Sequence, residues 1–357
     1  MEIKLQKKSG KSLNGEKVII NKIQEKVSNL PRYLKSWVKT FSGSLTLFCL
    51  LILTFLPFIS KNLNFTHYIL RQFTLAMIFS ILAASWDFLT GIAGQISFGQ
   101  AIFFGISGYL SAYFISYQNY PIWLAFIIGA IGAAIFGLLI GIPALRLKGP
   151  YLALGTLVMN IILLKIFLLG SLEQIFFGSE GISALPKLSA NPIIEYFIVF
   201  IFMIVIFIII FQISKSKFGT ILKSIRDDET GADASGINTT RYKVYAFVIS
   251  ALFAGIAGSF YALYTTSVNP SGNFGIIISF FAILMASLGG LATISGSALG
   301  AFFFIFLEFA LIEAGYDIYV QLIFALILII VVRFAQNGIL RPVIERLKDL
   351  WDVLLGR

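Results

Sequence analysis

Few residues in this chain have the types and spacing that catalysis requires. It holds one histidine, His67, and one cysteine, Cys49, and we find no His/Cys/Asp cluster or Ser/His/Asp set. Residues 9–12 read SGKS and resemble the end of a phosphate-binding loop, but Leu5 stands where that motif needs glycine. We therefore predict no catalytic residue, no metal and no cofactor in this chain.

The residue pattern instead favours docking, in a polar stretch at residues 214–243 between long apolar segments. An apolar stripe at i, i+3, i+4 and i+7, from Phe218 to Ile225, predicts one side of a helix. An acidic cluster then begins a second short helix of small residues, which Gly236 closes. We predict that this stretch docks on a partner; a solvated, capped loop is the alternative. The predicted docking residues are Arg226, Asp227, Asp228, Glu229, Ala232, Ala234 and Gly236.

The composition indicates an integral membrane protein. Hydrophobic residues make up 58% of the chain and charged residues 12%, against about 25% in soluble domains. About ten apolar segments are close to the length that crosses a bilayer as a helix, so we predict an all-α polytopic membrane protein. They lie near residues 44–60, 67–89, 97–117, 121–145, 150–170, 193–213, 243–266, 275–290, 296–313 and 318–333.

The distribution of positive charge predicts the orientation of these segments. With ten crossings, 23 of the 27 Lys and Arg residues lie on one side, and three lie on the other. By the positive-inside rule, both termini and the stretch 214–243 are cytoplasmic. This division predicts a basic N-terminal tail at 1–43, a transmembrane domain at 44–334 that includes the stretch 214–243, and a C-terminal tail at 335–357. Ten crossings also permit two inverted halves of five helices around the outer loop 171–192.

Two glycine-rich stretches interrupt the apolar segments, at residues 90–108 and 289–300. Non-helical backbone at membrane depth is tolerated where it is buried in protein or lines a wet cavity. We predict that the two stretches, with residues after the Gly149-Pro150 break, line a pathway. Close helix packing is the alternative, as for the Gly137/Gly141 and Gly296/Gly300 pairs. The pathway candidates are Gly94, Gln95, Ser97, Gly99, Tyr151, Thr156, Gly289 and Gly290.

Five pieces of the chain carry a resemblance to a known family. They are LTGIAGQISFGQAIFFGISGYLSAYF, RLKGPYLALGTL, FGSEGI, KFGTILKSIRDDETGADASGINTTRYKVYAFVISALFAGIAGSFYA and SLGGLATISGSALGAF. In this order they resemble the membrane subunit of the branched-chain amino acid ABC importer family. The resemblance implies that 214–243 couples the chain to cytoplasmic ATPase subunits, which bind ATP and Mg. It also implies a second related permease subunit, an external solute-binding protein and a location in the plasma (inner) membrane.

Three alternatives remain open from sequence. The family also includes permeases for urea and short amides, so the solute is not fixed by the resemblance. An ion-coupled carrier would use membrane carboxylates, for which Asp87 and Glu308 are the candidates, although capping or snorkelling also explains them. A purely structural scaffold would not need the polar glycine-rich interruptions. Copurification with an ATPase distinguishes the importer from the ion-coupled carrier.

Overall fold

The computed structural model describes residues 41–60, 66–147 and 149–334, and this part of the chain is helical throughout, with one isolated β-bridge. The all-α prediction is therefore confirmed. The chain divides into two compact units: the smaller includes helix α1 (Phe41–Ser60) up to Ile59, and the larger, Ser60–Ile344, includes the other described helices. Except for residues 41–43, the predicted tails lie outside the described residues.

The larger unit contains thirteen α-helices among its described residues. They are α2 (Thr66–Asp87), α3 (Gln100–Ser116), α4 (Ile122–Ala144), α5 (Pro150–Phe167), α6 (Glu173–Phe176), α7 (Pro192–Lys215), α8 (Lys217–Asp227), α9 (Glu229–Ala234), α10 (Thr239–Thr265), α11 (Pro270–Asn273), α12 (Ile276–Gly289), α13 (Ile294–Glu313) and α14 (Val320–Phe334). A π-helical turn, Phe88–Ile92, extends α2, and short 3-10 turns lie at Gly170–Leu172 and Asp317–Tyr319.

A helix occupies each of the ten predicted apolar segments. Seven spans in the described chain are long and apolar enough to cross a membrane: α2 with its π-turn, α4, α5, α7, α10, α11 with α12, and α13. The chain is thus an integral membrane protein by helix length and composition. The count of ten crossings, the five-plus-five arrangement and the orientation of the termini stay predictions.

Small residues allow the central helices α3, α4 and α10 to pack closely. A Cβ added to Gly137 on α4 would lie 2.5 Å from the Cβ of Ala251 on α10, and one added to Gly141 would lie 3.0 Å from the Phe247 ring. Buried hydroxyls also link these helices, with Ser259 2.5 Å from Ser107. The Gly137/Gly141 pair is therefore a packing feature, as the alternative interpretation held.

The segment 266–275, between α10 and α12, folds back against the helix bundle on one side. Val268 is buried and forms an antiparallel bridge with Ile182, and Asn273 is buried against Gly108 of α3. A Cβ on Gly108 would also contact the carbonyl of Gly258, which lies seven residues, or roughly 10 Å, before the end of α10. Val268, Pro270, Asn273 and Phe274 are buried, whereas Asn269, Ser271 and Gly272 are exposed, so the segment is packed into the protein on one side.

Candidate functional site

The stretch 214–243 folds into two short helices with the predicted boundaries. Ser216 caps α8 by accepting from the Gly219 amide at 3.3 Å, and Asp228 caps α9 by accepting from the Thr230 amide at 3.0 Å. Gly236 follows α9 with φ +82°, the left-handed conformation expected of a terminating glycine. The two helices are thus defined by local capping, independently of any partner.

The apolar side of α8 rests on the protein, and part of α9 faces outward. Leu222 and Ile225 are fully buried, which agrees with the predicted stripe. On α9, Ala232 is buried with 6% exposure whereas Ala234 is exposed. The two alanines, predicted together as docking residues, therefore differ: only Ala234 is available to another protein.

Arg226, at the end of α8, connects this helix to the first glycine-rich stretch. Its Nη1 donates to the carbonyl oxygen of Gly91 at 2.7 Å, and its Nη2 donates to Asp227 at 2.8 Å. A Cβ on Gly94 would lie 2.6 Å from the Arg226 Cγ, and Gly94 has φ +71°. Glycine is required here because both the close approach and the left-handed backbone exclude a side chain.

Gly91 also lies against Ala292, in the loop before α13. Because Ala292 belongs to the second glycine-rich stretch, the two stretches are in contact here. The Asp87 carboxylate accepts from the Ala292 amide at 2.7 Å, across 205 residues of chain. A Cβ on Gly91 would lie within 2.8 Å of the Ala292 Cα. Asp87 thus accepts a hydrogen bond from a backbone amide of the 290–293 loop. This contact agrees with capping, which was the alternative to an ion-carrier role for Asp87. Its second oxygen has no hydrogen-bond partner among the described residues.

A small cavity lies where α8, α9 and the glycine-rich turn meet. Its volume is about 220 Å³. An ion pair between the buried Lys243 and the partly exposed Glu229 joins α9 to the start of α10 beside it. The cavity is lined by Gly94, Gln95, Ile96, Gly149, Leu152, Ile225, Arg226, Glu229 and Lys243. Predicted docking residues and predicted pathway residues therefore share one cavity.

The other pathway candidates divide into those that join this region and those that do not. Thr156 on α5 accepts from the Phe98 amide at 3.0 Å, and Ser97 accepts from the Gly99 amide at 3.1 Å, so these residues lie together. Three candidates lie elsewhere, for different reasons. Tyr151 is 70% exposed and does not line the cavity, Gly289 packs against the backbone of Gly296, and Gly290 ends α12 with φ +101°.

The comparison with protein families identifies what kind of molecule carries this arrangement. The family model described as the branched-chain amino acid transport system permease component matches residues 68–332. That match covers the helices α2 to α13, the glycine-rich turn and the stretch 214–243. The chain belongs to this family. It is therefore a transport permease component, in agreement with the resemblance found in the sequence.

Individual relatives of this permease differ in coverage. The high-affinity branched-chain amino acid transport system permease protein LivM of Escherichia coli (strain K12) is 30% identical over 249 residues, which is 62% of this chain. The permease spans only 58% of the length of that relative. BraD of Pseudomonas aeruginosa is 24% identical over 79% of this chain and 98% of its own length. The nucleoside ABC transporter permease protein NupC of Lactococcus lactis subsp. cremoris is 28% identical over 43% of this chain and 51% of its own.

Sequence reasoning missed two residues that complete the site of the permease. Lys243 was counted only as a positive charge, yet it is buried and paired with Glu229. Trp86 was not singled out, although its Nε1 donates to the Ser97 carbonyl at 2.7 Å and holds the glycine-rich turn. A lysine at the first turn of a long apolar helix gives a weak signal of such pairing. We find no sequence signal for the tryptophan contact.

Proposed function

We propose that this permease is the membrane subunit of an ATP-driven ABC importer for branched-chain or other small hydrophobic amino acids. ATP and Mg are bound by separate cytoplasmic ATPase subunits, and the permease itself is not an enzyme. The observation that carries the proposal is the contact of Arg226 with Gly91 and Gly94. It links the segment suited to docking with the segment suited to lining a pathway.

In this proposal, movement of the ATPase is passed to the permease at the exposed part of α8 and α9. Asp227, Asp228, Ala234 and Gly236 are exposed, so another protein can reach them. An ATPase subunit that grips these residues would move α8 as a unit, because its apolar stripe and caps hold it rigid. Charge complementarity with the acidic pair favours a basic edge on the ATPase cleft.

Movement of α8 would reach the pathway through backbone groups. The Arg226–Gly91 hydrogen bond displaces the π-turn, and the Asp87–Ala292 hydrogen bond carries the displacement to the loop before α13. The Thr156–Phe98 hydrogen bond includes α5 in the same motion. In this proposal, each of these hydrogen bonds has two alternative arrangements, and movement of α8 switches all three together.

The proposed pathway passes the turn at Gly94, Gln95, Ser97 and Gly99. The turn itself offers backbone amides and carbonyls and uncharged side chains, which bind a zwitterion weakly. Arg226, Glu229 and Lys243 line the cavity beside it. Weak binding suits a subunit that must release its solute, with recognition assigned to an external solute-binding protein. A second related permease subunit would complete the membrane assembly, in the plasma (inner) membrane with both termini cytoplasmic.

Reconstitution tests the proposal. The permease is copurified with its partners, placed in liposomes with the external binding protein, and assayed for uptake of radiolabelled leucine. We expect uptake to require ATP on the cytoplasmic side and to persist when ionophores remove all ion gradients. Excess leucine should compete, whereas urea and a nucleoside should not. Gradient-driven uptake without an ATPase would contradict the importer, and competition by urea or the nucleoside would reassign the solute.

A further inference from the structure

Three buried side chains around Phe274 each keep one polar atom without a partner. Tyr109 Oη, Asn160 Oδ1 and Asn273 Nδ2 make no hydrogen bond within the described chain. The three residues are 5%, 0% and 2% exposed. They come from α3, α5 and α11, three elements that meet at the fold-back segment 266–275. Buried polar atoms are normally satisfied, so three orphans on side chains that neighbour one residue, Phe274, call for an explanation.

The remaining contacts of these side chains fix their positions beside Phe274. Asn160 Nδ2 donates to the Phe274 carbonyl at 3.2 Å, which leaves its Oδ1 as a free acceptor. Asn273 Oδ1 accepts from the Asn269 amide at 3.2 Å, which leaves its Nδ2 as a free donor. The Tyr109 ring lies 5.5 Å from the Phe274 ring, centroid to centroid, so Tyr109 is a third neighbour of Phe274.

Aromatic rings form the apolar wall of this group. The Phe167 ring lies 4.5 Å from Phe274, 4.9 Å from Tyr109 and 4.3 Å from Phe176. The lining residues named here carry no charge. The fold-back segment is joined to the loop beside it through the backbone pair of Val268 and Ile182, with hydrogen bonds of 2.8 and 2.9 Å. Phe274 is fully buried, so a solute could lie between these rings only if that segment and Phe274 moved.

We propose that Tyr109, Asn160 and Asn273 form a solute subsite for a small amino acid with an apolar side chain. The Asn160 Oδ1 accepts from the solute ammonium, and the Asn273 Nδ2 and Tyr109 hydroxyl donate to its carboxylate. The solute side chain replaces the ring contacts of Phe167 and Phe274. The inference rests on the proposed import function, and it names the residues that hold the solute within the membrane.

A tyrosine-to-phenylalanine substitution tests the subsite with little risk to folding. Tyr109→Phe removes only the hydroxyl, which has no protein partner among the described residues, so folding should be unaffected. Binding of radiolabelled leucine to the purified complex is measured by scintillation proximity, alongside thermal stability. We expect leucine affinity to fall roughly 13- to 160-fold, the range for one hydrogen bond to a charged group, with stability unchanged or higher. Tyr113→Phe, one turn further along α3, is the matched control and should bind as wild type.

The possible outcomes separate the subsite from the import function. Equal leucine binding by wild type and Tyr109→Phe would mean that ordered water alone satisfies the hydroxyl, and this would overturn the subsite. An absence of leucine binding by wild type would overturn it as well. Failure of ATP-driven uptake in liposomes, with leucine binding still sensitive to Tyr109→Phe, would reject the importer and retain the subsite.

Discussion

Replacement of Arg226 by methionine should uncouple ATP hydrolysis from solute movement. Arg226→Met keeps an unbranched side chain against Gly94 and removes the hydrogen bond to the Gly91 carbonyl, which measures 2.7 Å. It also removes the ion pair with Asp227, which is a neighbour on an exposed surface and contributes little. The variant therefore isolates the contact between α8 and the glycine-rich turn.

The expected magnitude follows from that single contact. A hydrogen bond from a charged donor contributes about 1.5–3 kcal/mol, and the Arg226 side chain is 34% exposed, so solvent screening lowers this to roughly 1–2 kcal/mol. A coupling energy of that size corresponds to a roughly 5- to 30-fold fall in solute moved per ATP hydrolysed. Without the hydrogen bond, movement of α8 would no longer be passed to Gly91. The buried apolar stripe would still hold α8 in place.

The assay measures leucine uptake and phosphate release on the same proteoliposomes, and reports their ratio. Arg241→Met is the matched control, because Arg241 is exposed at the start of α10 and only its backbone amide takes part in the cap by Asn238. The control should keep the wild-type ratio. A wild-type ratio in Arg226→Met, with normal assembly, would refute the transmission through Gly91.

Three further predictions concern the same set of contacts. Gly91→Ala places a methyl group within 2.8 Å of the Ala292 Cα, so uptake and melting temperature should both fall, as measured by transport and thermal unfolding. Ala234→Trp should block copurification with the ATPase and leave melting temperature unchanged, whereas Ala232→Trp should lower melting temperature because Ala232 is buried. Asp87→Asn keeps an acceptor for the Ala292 amide, so ATP-driven leucine uptake should stay within about twofold of wild type.

Each of these predictions has an outcome that would contradict it. Wild-type stability and uptake in Gly91→Ala would mean that the 290–293 loop can shift to accommodate the methyl group without cost. Normal ATPase copurification with Ala234→Trp would remove the docking role of α9. Complete loss of uptake in Asp87→Asn, in a folded and assembled complex, would revive Asp87 as an ion carrier.

Much of the helical architecture could be predicted because apolar length and capping are local properties. The Phe218–Ile225 stripe and the Asp228 cap depend on residues at most seven positions apart, so their pattern is visible in sequence. The contacts of the candidate site are different in kind. Arg226 meets Gly91 across 135 residues, and without homologous sequences nothing in the local pattern pairs the two.

The fold-back segment is a second feature that the local sequence does not predict. Residues 266–275 are too few to cross a membrane, and their Asn, Ser, Gly and Pro residues are typical of a loop. Their burial depends on the β-bridge with Ile182 and on the small residues Gly105 and Gly108, which leave room on α3. The different environments of Ala232 and Ala234 have the same origin, because burial of a short helix is set by distant packing.

Cross-linking from position 234 tests the central claim most directly, namely that 214–243 joins the permease to a cytoplasmic ATPase. Ala234→Cys, in a Cys49→Ala background, is labelled with a thiol-reactive photo-cross-linker in inside-out membranes. The account predicts a cross-link to the ATPase subunit whose yield changes when ATP is added. The account would be contradicted if the cysteine reacted with a membrane-impermeant thiol reagent in intact cells, or formed no ATPase adduct.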